Sequence, residues 1–387
     1  MANILFIAYD YPPILSPESI QVQRRALTLA NNGHQIYILS IHNNPSFEFI
    51  DKTLVQKHQN IKLIQTNKPL MEKLYNVFCK YLDITDRKYW WKWIALKKAH
   101  TLIKQYNIDI LYSHSTPLVD HLVGLNLKKY YPKLKWIAHF SDPWTLNPYK
   151  QYKFKFQYRL NKKLEEKVLQ SCNVITMTSE KTKQLFHKNF KNISNKIYVL
   201  PHTFDKSRYN KSQIIKDKKI IVHTGNIYGL RTIKYLLESL TKIELNNYEF
   251  HFYGKIKQEE LELIKIYNLK DKVKVFTQIP YLESLKIISN ADYLMVIDAP
   301  LENSPFFPSK LADYIGAKKP IIALTPKTSA TYDILKFINN NIFVANSNSI
   351  DEINKLLLNL NNISNEYTNI DYYSMDNYDL LKGVFEK

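Results

Sequence analysis

The sequence predicts an α/β protein of two doubly wound domains, and three observations carry that prediction. Short apolar runs alternate with helix-spaced patterns through both halves of the chain. A polar, lysine-rich stretch without clear period, residues 205–218, separates the halves. Residues 304–324 then read as a loop, a helix and a buried strand in direct succession. At 387 residues the chain is long enough for two complete cores.

In the first half the strand-like runs are 4–8, 36–40, 61–65, 110–113, 136–139 and 174–177. Their mostly unbroken apolar character fits parallel strands covered on both faces. Ser16 before Pro17 reads as the N-cap and first residue of a helix. Asp142 follows the fifth run and precedes Pro143 and Trp144. That places it at the carboxyl edge of the sheet, where ligands of α/β folds gather. There Asp142 can orient an acceptor hydroxyl or balance positive charge, or it can cap the turn. His139, on an apolar strand, is the competing candidate on the same edge and reads first as a core residue.

The second half repeats the pattern at 220–224, 250–253, 273–276, 293–297, 321–324 and 342–344. Glycine is scarce, with seven residues in all, yet Gly225 and Gly229 flank the turn after the first of these runs. Backbone can approach a phosphate closely at such a turn, and Arg231, one of only six arginines, adds charge there. Pro308 suits the first turn of a helix, and Lys310 and Asp313 then lie on one face of it. Free N–H groups at the helix start favour an anion, Lys310 adds a point charge, and Asp313 can accept ribose hydroxyls. Together they form a candidate nucleotide diphosphate holder.

The run P-S-K-L-A-D-Y-I-G-A-K-K-P-I-I-A, residues 308–323, resembles the donor-binding motif of family 4 glycosyltransferases, which often reads close to P-S-K-L-x-E-Y-L-A-x-G-K-P-V-I-A. In this chain Asp313 takes the acidic position and Lys318 the glycine position. The resemblance extends along the chain. Residues 3–8 with Pro12-Pro13 are similar to the family's first strand and loop, 32–36 to its second strand, and 139–144 to its R-D-P-W segment. Residues 201–205 stand where P-N-G-V-D is usual, and His223-Thr224-Gly225-Asn226 with Arg231 where Y-x-G-x and a basic residue are usual. The resemblance implies GT-B architecture, two Rossmann-like domains facing each other across a cleft. It divides the chain into an acceptor-binding domain at 1–200, a donor-binding domain at 201–365 and a C-terminal helix at 366–387 that returns to the first domain. It implies a retaining transfer from a nucleotide diphosphate sugar, a UDP-sugar first among them, to a glycan or lipid-linked acceptor in bacterial surface polysaccharide assembly. Arg231 and Lys310 would neutralise the leaving diphosphate, with Asp142 as the third catalytic candidate. Gly225, Asn226, Ser309 and Asp313 would complete the donor site, and Ser16, His139 and Asp142 would face the acceptor. No cofactor or metal is required on this reading. The family's E-x₇-E spacing is broken, because eight residues before Asp313 stands Pro305; Glu302, three residues earlier, is the substitute candidate for the donor sugar.

The formal charge of +19 comes mostly from lysine, with no basic tail or nucleic-acid motif beside it. A basic nucleic-acid-binding protein is the rival reading from another class. An inverting GT-B transferase or a sugar-nucleotide epimerase is the rival within enzymes. Two basic aromatic stretches suit an anionic membrane surface. Met71, Leu74, Phe78 and Tyr81 lead into Trp90, Trp91 and Trp93 in one; Lys150, Lys153 and Lys155 alternate with aromatics in the other. Two distant cysteines, Cys79 and Cys172, and the lack of a long apolar run lead us to expect a cytoplasmic protein, peripheral on the inner face of the cell membrane.

Overall fold

The computed structural model describes residues 1–42, 49–69, 77, 81, 83, 88–209, 217–363 and 366–386. It divides into two compact units, residues 1–201 with 375–387, and residues 202–374. Met71, Leu74, Phe78 and Cys79 lie outside the described residues, as do 210–216 of the expected crossing.

The first unit is built on seven strands: β1 (Asn3–Ile7), β2 (Gln35–Ile41), β3 (Ile61–Thr66), β4 (Ile110–Ser115), β5 (Lys135–Phe140), β6 (Val174–Met177) and β7 (Ile197–Val199). They pair in parallel in the order β3-β2-β1-β4-β5-β6-β7. Helices α1 (Pro17–Asn31), α2 (Trp91–Tyr106), α3 (Val119–Tyr130), α4 (Lys155–Ser171) and α5 (Glu180–Asn189) make the connections. β1 shows why such strands read as unbroken apolar runs. Leu5 and Ile7 enter one core with Leu122 and Trp136, while Ile4 and Phe6 enter the opposite one with Val22 and Ala26. Both faces are covered, so the buried positions 4–7 all carry apolar side chains.

The second unit holds β8 (Lys219–Thr224), β9 (Tyr248–Tyr253), β10 (Val273–Phe276), β11 (Tyr293–Ile297), β12 (Ile321–Leu324) and β13 (Phe343–Ala345), parallel in the order β10-β9-β8-β11-β12-β13. Its helices are α6 (Lys234–Leu240), α7 (Gln258–Ile266), α8 (Tyr281–Asn290), α9 (Ser309–Ala317), α10 (Ala330–Ile338) and α11 (Ile350–Leu358). The chain then rejoins the first unit through α12 (Tyr378–Phe385), whose Leu381, Val384 and Phe385 pack with Val22 and Leu29.

Two expectations need correction. The helix expected over 366–387 is broken: a short 3₁₀ turn, Ile370–Tyr373, precedes α12, and Ser374 between them is extended. The Tyr373 carbonyl accepts from the Phe204 N–H at 2.9 Å, so that acceptor serves a pairing and not a continuing helix. Trp90 and Trp91 cannot meet a membrane, being 2% and 0% exposed. Trp91 packs edge-on to Tyr9 and donates its indole N–H to Thr66 Oγ1 at 2.8 Å. Their apolar area was worth more in the core than at a surface. Trp93, by contrast, is 58% exposed.

α9 ends in Lys318 with φ +53°, the left-handed position where the resembling motif carries glycine. A β-carbon costs about 1 kcal/mol there. We expect Lys318→Gly to raise stability by roughly 0.5–1 kcal/mol in denaturant unfolding, and a loss of stability would mean that side-chain contacts of Lys318 outweigh the strain.

Candidate active site

The strand order of the second unit reverses between β8 and β11, and ligands of open parallel sheets bind at the carboxyl ends of such neighbours. β8 ends in His223 and Thr224 and runs into Gly225 at φ +100°. The Gly225 N–H donates to the Tyr253 carbonyl at 2.7 Å, which folds this turn over the end of β9. Gly254, at φ +142°, makes that approach possible, because a β-carbon on it would lie 2.7 Å from the Gly225 carbonyl carbon. Asn226 accepts from the Lys255 N–H at 2.8 Å through its Oδ1, so this donor-site candidate braces the loop.

α9 is fastened to the same strand end. Tyr314, fully buried, accepts from the Thr224 N–H at 2.9 Å, and one turn earlier the Lys310 ammonium lies 2.9 Å from His223 Nε2. The ammonium rests against Gly225, where a β-carbon would come within 2.9 Å of it. Desolvation first, and then the Arg231 guanidinium, pull the Lys310 pKa down to about 7, with Asp298 opposing. Asp298 is buried just after β11 and accepts from Thr325 and Thr331 hydroxyls at 2.7 and 2.6 Å. Burial raises its pKa, while Thr331 and Arg231 are the largest opposing influences.

Arg231 stands in the loop between β8 and α6 with its guanidinium 5.2 Å from the centre of the Tyr228 ring. Buried Glu260 of α7 fixes the end of that loop, accepting from Thr232 Oγ1 at 2.6 Å and the Ile233 N–H at 2.7 Å. Asp313 is half-buried on α9, and its Oδ1 accepts from the hydroxyls of Tyr281 at 2.8 Å and Tyr209 at 3.3 Å. Ser309 opens α9 and keeps part of its surface. Glu302 is exposed in the loop after β11, with its backbone carbonyl held by the Thr328 hydroxyl. Gly225, Lys310 and Arg231 thus form one electrostatic cluster with His223 and Asp298 behind them.

The first unit assembles its own polar group. Ser16 caps α1 by accepting from the Ser19 N–H at 3.1 Å. Two residues into that helix, the Glu18 carboxyl is pushed up to about 8 by burial and then by the carboxylates of Asp142 and Asp10, with Lys88 opposing. Asp142 therefore lies in a carboxylate group to which the Lys88 ammonium, 3.7 Å from Asp10, supplies positive charge. The segment carrying Asp142 is pinned from α4: Trp144 donates to Asn161 at 2.9 Å, and the Thr145 N–H donates to Glu165 at 3.1 Å. His139 is fully buried, stacks on His114 with centroids 4.8 Å apart, and bonds Thr176 Oγ1 at 2.9 Å. It belongs to the interior of the sheet and not to the surface that Asp142 occupies.

Sequence reasoning did not single out Asp298, Glu260, Glu18 or Tyr281. Asp298 alone had a usable signal, an acidic residue directly after a fully apolar strand. Glu260 sits in a glutamate-rich helix start where charge is ordinary.

Two family models match the chain in succession: Glycosyltransferase Family 4 over residues 20–208 and Glycosyl transferases group 1 over residues 205–376. No curated protein matches it. Among solved structures, sucrose-phosphate synthase from Thermosynechococcus elongatus is similar at 12% identity and TM-score 0.68, covering 100% of this chain and 95% of that one. HepE of Anabaena in complex with UDP-glucose aligns at 12% identity and TM-score 0.68 over 100% of both chains. WaaG, a glycosyltransferase involved in lipopolysaccharide biosynthesis, aligns at 15% identity and TM-score 0.61, covering 99% of this chain and 96% of that one. Two consecutive glycosyltransferase domains on two Rossmann-like sheets lead to one assignment: the chain belongs to the GT-B glycosyltransferases.

Proposed function

We propose that the chain is a retaining family 4 glycosyltransferase that takes its sugar from a nucleotide diphosphate sugar. One observation carries this reading: the Lys310 ammonium rests against the Gly225 turn at the end of β8, and Arg231 stands in the loop that leaves the same turn. Each cation disfavours the other, and a diphosphate would relieve that cost. In glycosyl transfer the diphosphate is the leaving group, so the same charges stabilise the transition state as its oxygen gains charge. Asp313, one turn along α9 from Lys310, serves the ribose hydroxyls. Because HepE is solved with UDP and with UDP-glucose, a UDP-sugar is the first donor to test.

On the acceptor side we assign Asp142, with Glu18 beside it, to a glycan or lipid-linked acceptor of surface polysaccharide assembly. A lipid-linked acceptor calls for a peripheral position on the inner face of the membrane. Among the described residues no helix is long and apolar enough to cross a membrane. The surviving basic aromatic features support docking at the surface. Trp93 carries the Lys92 ammonium 4.6 Å from its ring centre, and Phe154 and Phe156, 44% and 43% exposed, stand among exposed Lys153 and Lys155. Lys150 contributes less, because it is paired with Asp83 at 2.8 Å.

Replacing Lys310 with Ala should weaken UDP binding about tenfold to a hundredfold, since a hydrogen bond to a charged group contributes about 1.5–3 kcal/mol. The wild-type affinity should also depend on pH. A bound anion favours the ammonium, so binding takes up a proton, and affinity is full below pH 7 and weakens as pH climbs above it. Calorimetry between pH 7 and 9 checks this; a flat profile, or an unchanged Lys310→Ala, contradicts it. With two side-chain cations on the diphosphate, transfer activity should survive a chelator, and activity lost to chelation and restored by magnesium or manganese would refute the metal-free reading.

For the membrane, changing Trp93, Phe154, Phe156, Lys153 and Lys155 together to Ser should lower binding to anionic vesicles more than tenfold, each lysine contributing about 1 kcal/mol. Equal sedimentation of variant and wild type, or equal binding to neutral vesicles, would remove the claim.

A further inference from the structure

We propose that His223 is a positioning residue for the donor diphosphate: its neutral ring, tethered to the Met295 carbonyl, accepts a hydrogen bond from Lys310 and aims the ammonium at the Gly225 turn. The inference rests on the reading of Lys310 as a diphosphate ligand and adds a residue to that site.

The tautomer follows from the contacts. His223 Nδ1 lies 2.9 Å from the Met295 carbonyl, which can only accept, so Nδ1 carries the proton. Nε2 lies 2.9 Å from Lys310 Nζ, which can donate to it whether charged or neutral. The two bonds are compatible with one state of the ring, neutral with its lone pair on Nε2. Burial, Lys310 and Arg231 all hold the His223 pKa well below its ordinary value, so the ring stays in that state. Met295 belongs to β11 and His223 to β8, so the tether spans the pair of strands at which the sheet order reverses. The ammonium keeps further N–H bonds for a ligand, and the glycine beside it leaves room for one.

The position departs from the resembling motif, where a tyrosine is usual. A phenol can also accept, but it titrates and rotates differently; a tethered imidazole supplies a fixed lone pair. Several groups act on Lys310: His223 from β8, Arg231 from the loop before α6 and Asp298 from the end of β11, while on its own helix Asp313 bonds Tyr281 and Tyr209 and Tyr314 bonds Thr224. Arg231 and burial disfavour the ammonium, whereas Asp298 and the His223 lone pair favour it. Removing that lone pair therefore moves the pH at which the site loses its charge to lower values.

The test is calorimetric titration of the full chain with UDP and with inorganic pyrophosphate at pH 5, 6, 7, 8 and 9, for wild type, His223→Phe, His223→Gln and Lys310→Ala. His223→Phe should weaken both probes about tenfold at pH 8, the value of one lost charged hydrogen bond, and the onset of weakening should move below pH 7. His223→Gln, whose side-chain carbonyl can accept from Lys310, should stay within about threefold of wild type with the original onset. If His223→Phe matches wild type at every pH while Lys310→Ala loses affinity, the role of His223 is overturned and the donor site stands. If Gln and Phe weaken binding equally and without change of pH profile, His223 acts by packing and the proposal is also overturned. If Lys310→Ala leaves both probes unchanged, the donor-site reading itself falls.

Discussion

Two positive charges held at the end of one strand set the terms for the second unit. Lys310 reaches the turn after β8 from α9, Arg231 stands in the loop that leaves the same strand, and burial makes their mutual repulsion felt. The surrounding structure offsets that repulsion without cancelling it. Asp298 lies buried behind the pair, His223 offers a lone pair, and Glu260 fixes the backbone beside Arg231. On the proposed reading, a diphosphate would enter the field of both side chains.

Backbone geometry supports the electrostatics. The turn lies close to the neighbouring loop only because Gly225 and Gly254 take conformations that side chains rarely adopt, and Gly254 has no room for a β-carbon. In a chain with seven glycines, two are spent here. The first unit is organised on another principle. Its half-buried polar group near Asp142 is acidic, and α4 holds the Asp142 segment by Asn161 and Glu165 and not by glycine turns. Burial pushes the Glu165 carboxyl up to about 7, so a bond to Thr145 is bought with a carboxylate that water would have favoured more.

Much of this was legible in the sequence, for identifiable reasons. Strands buried on both faces announce themselves as apolar runs, and all twelve expected runs fall on strands. The thirteenth strand, β7 (Ile197–Val199), was not among them. The motif around Lys310 fixed α9 and β12, since proline before a helix and an apolar run after it have few other uses. What the sequence hid depends on distant partners. Trp90 and Trp91 look like an interfacial patch until Tyr9 and Thr66 are seen to bury them. That the Asn226 side-chain oxygen also braces the loop by accepting from Lys255 is visible only in the fold. His223 looked like one letter of a motif, and its importance appears only with Met295 and Lys310 on either side of the ring.

The central claim is that the end of β8 receives a diphosphate between Lys310 and Arg231. A crystal structure of the full chain with UDP tests it most directly. The account predicts phosphate oxygens within hydrogen-bond distance of both side chains and the ribose hydroxyls at Asp313. Well-defined UDP density elsewhere on the second unit, with Lys310 still bonded only to His223, would contradict it.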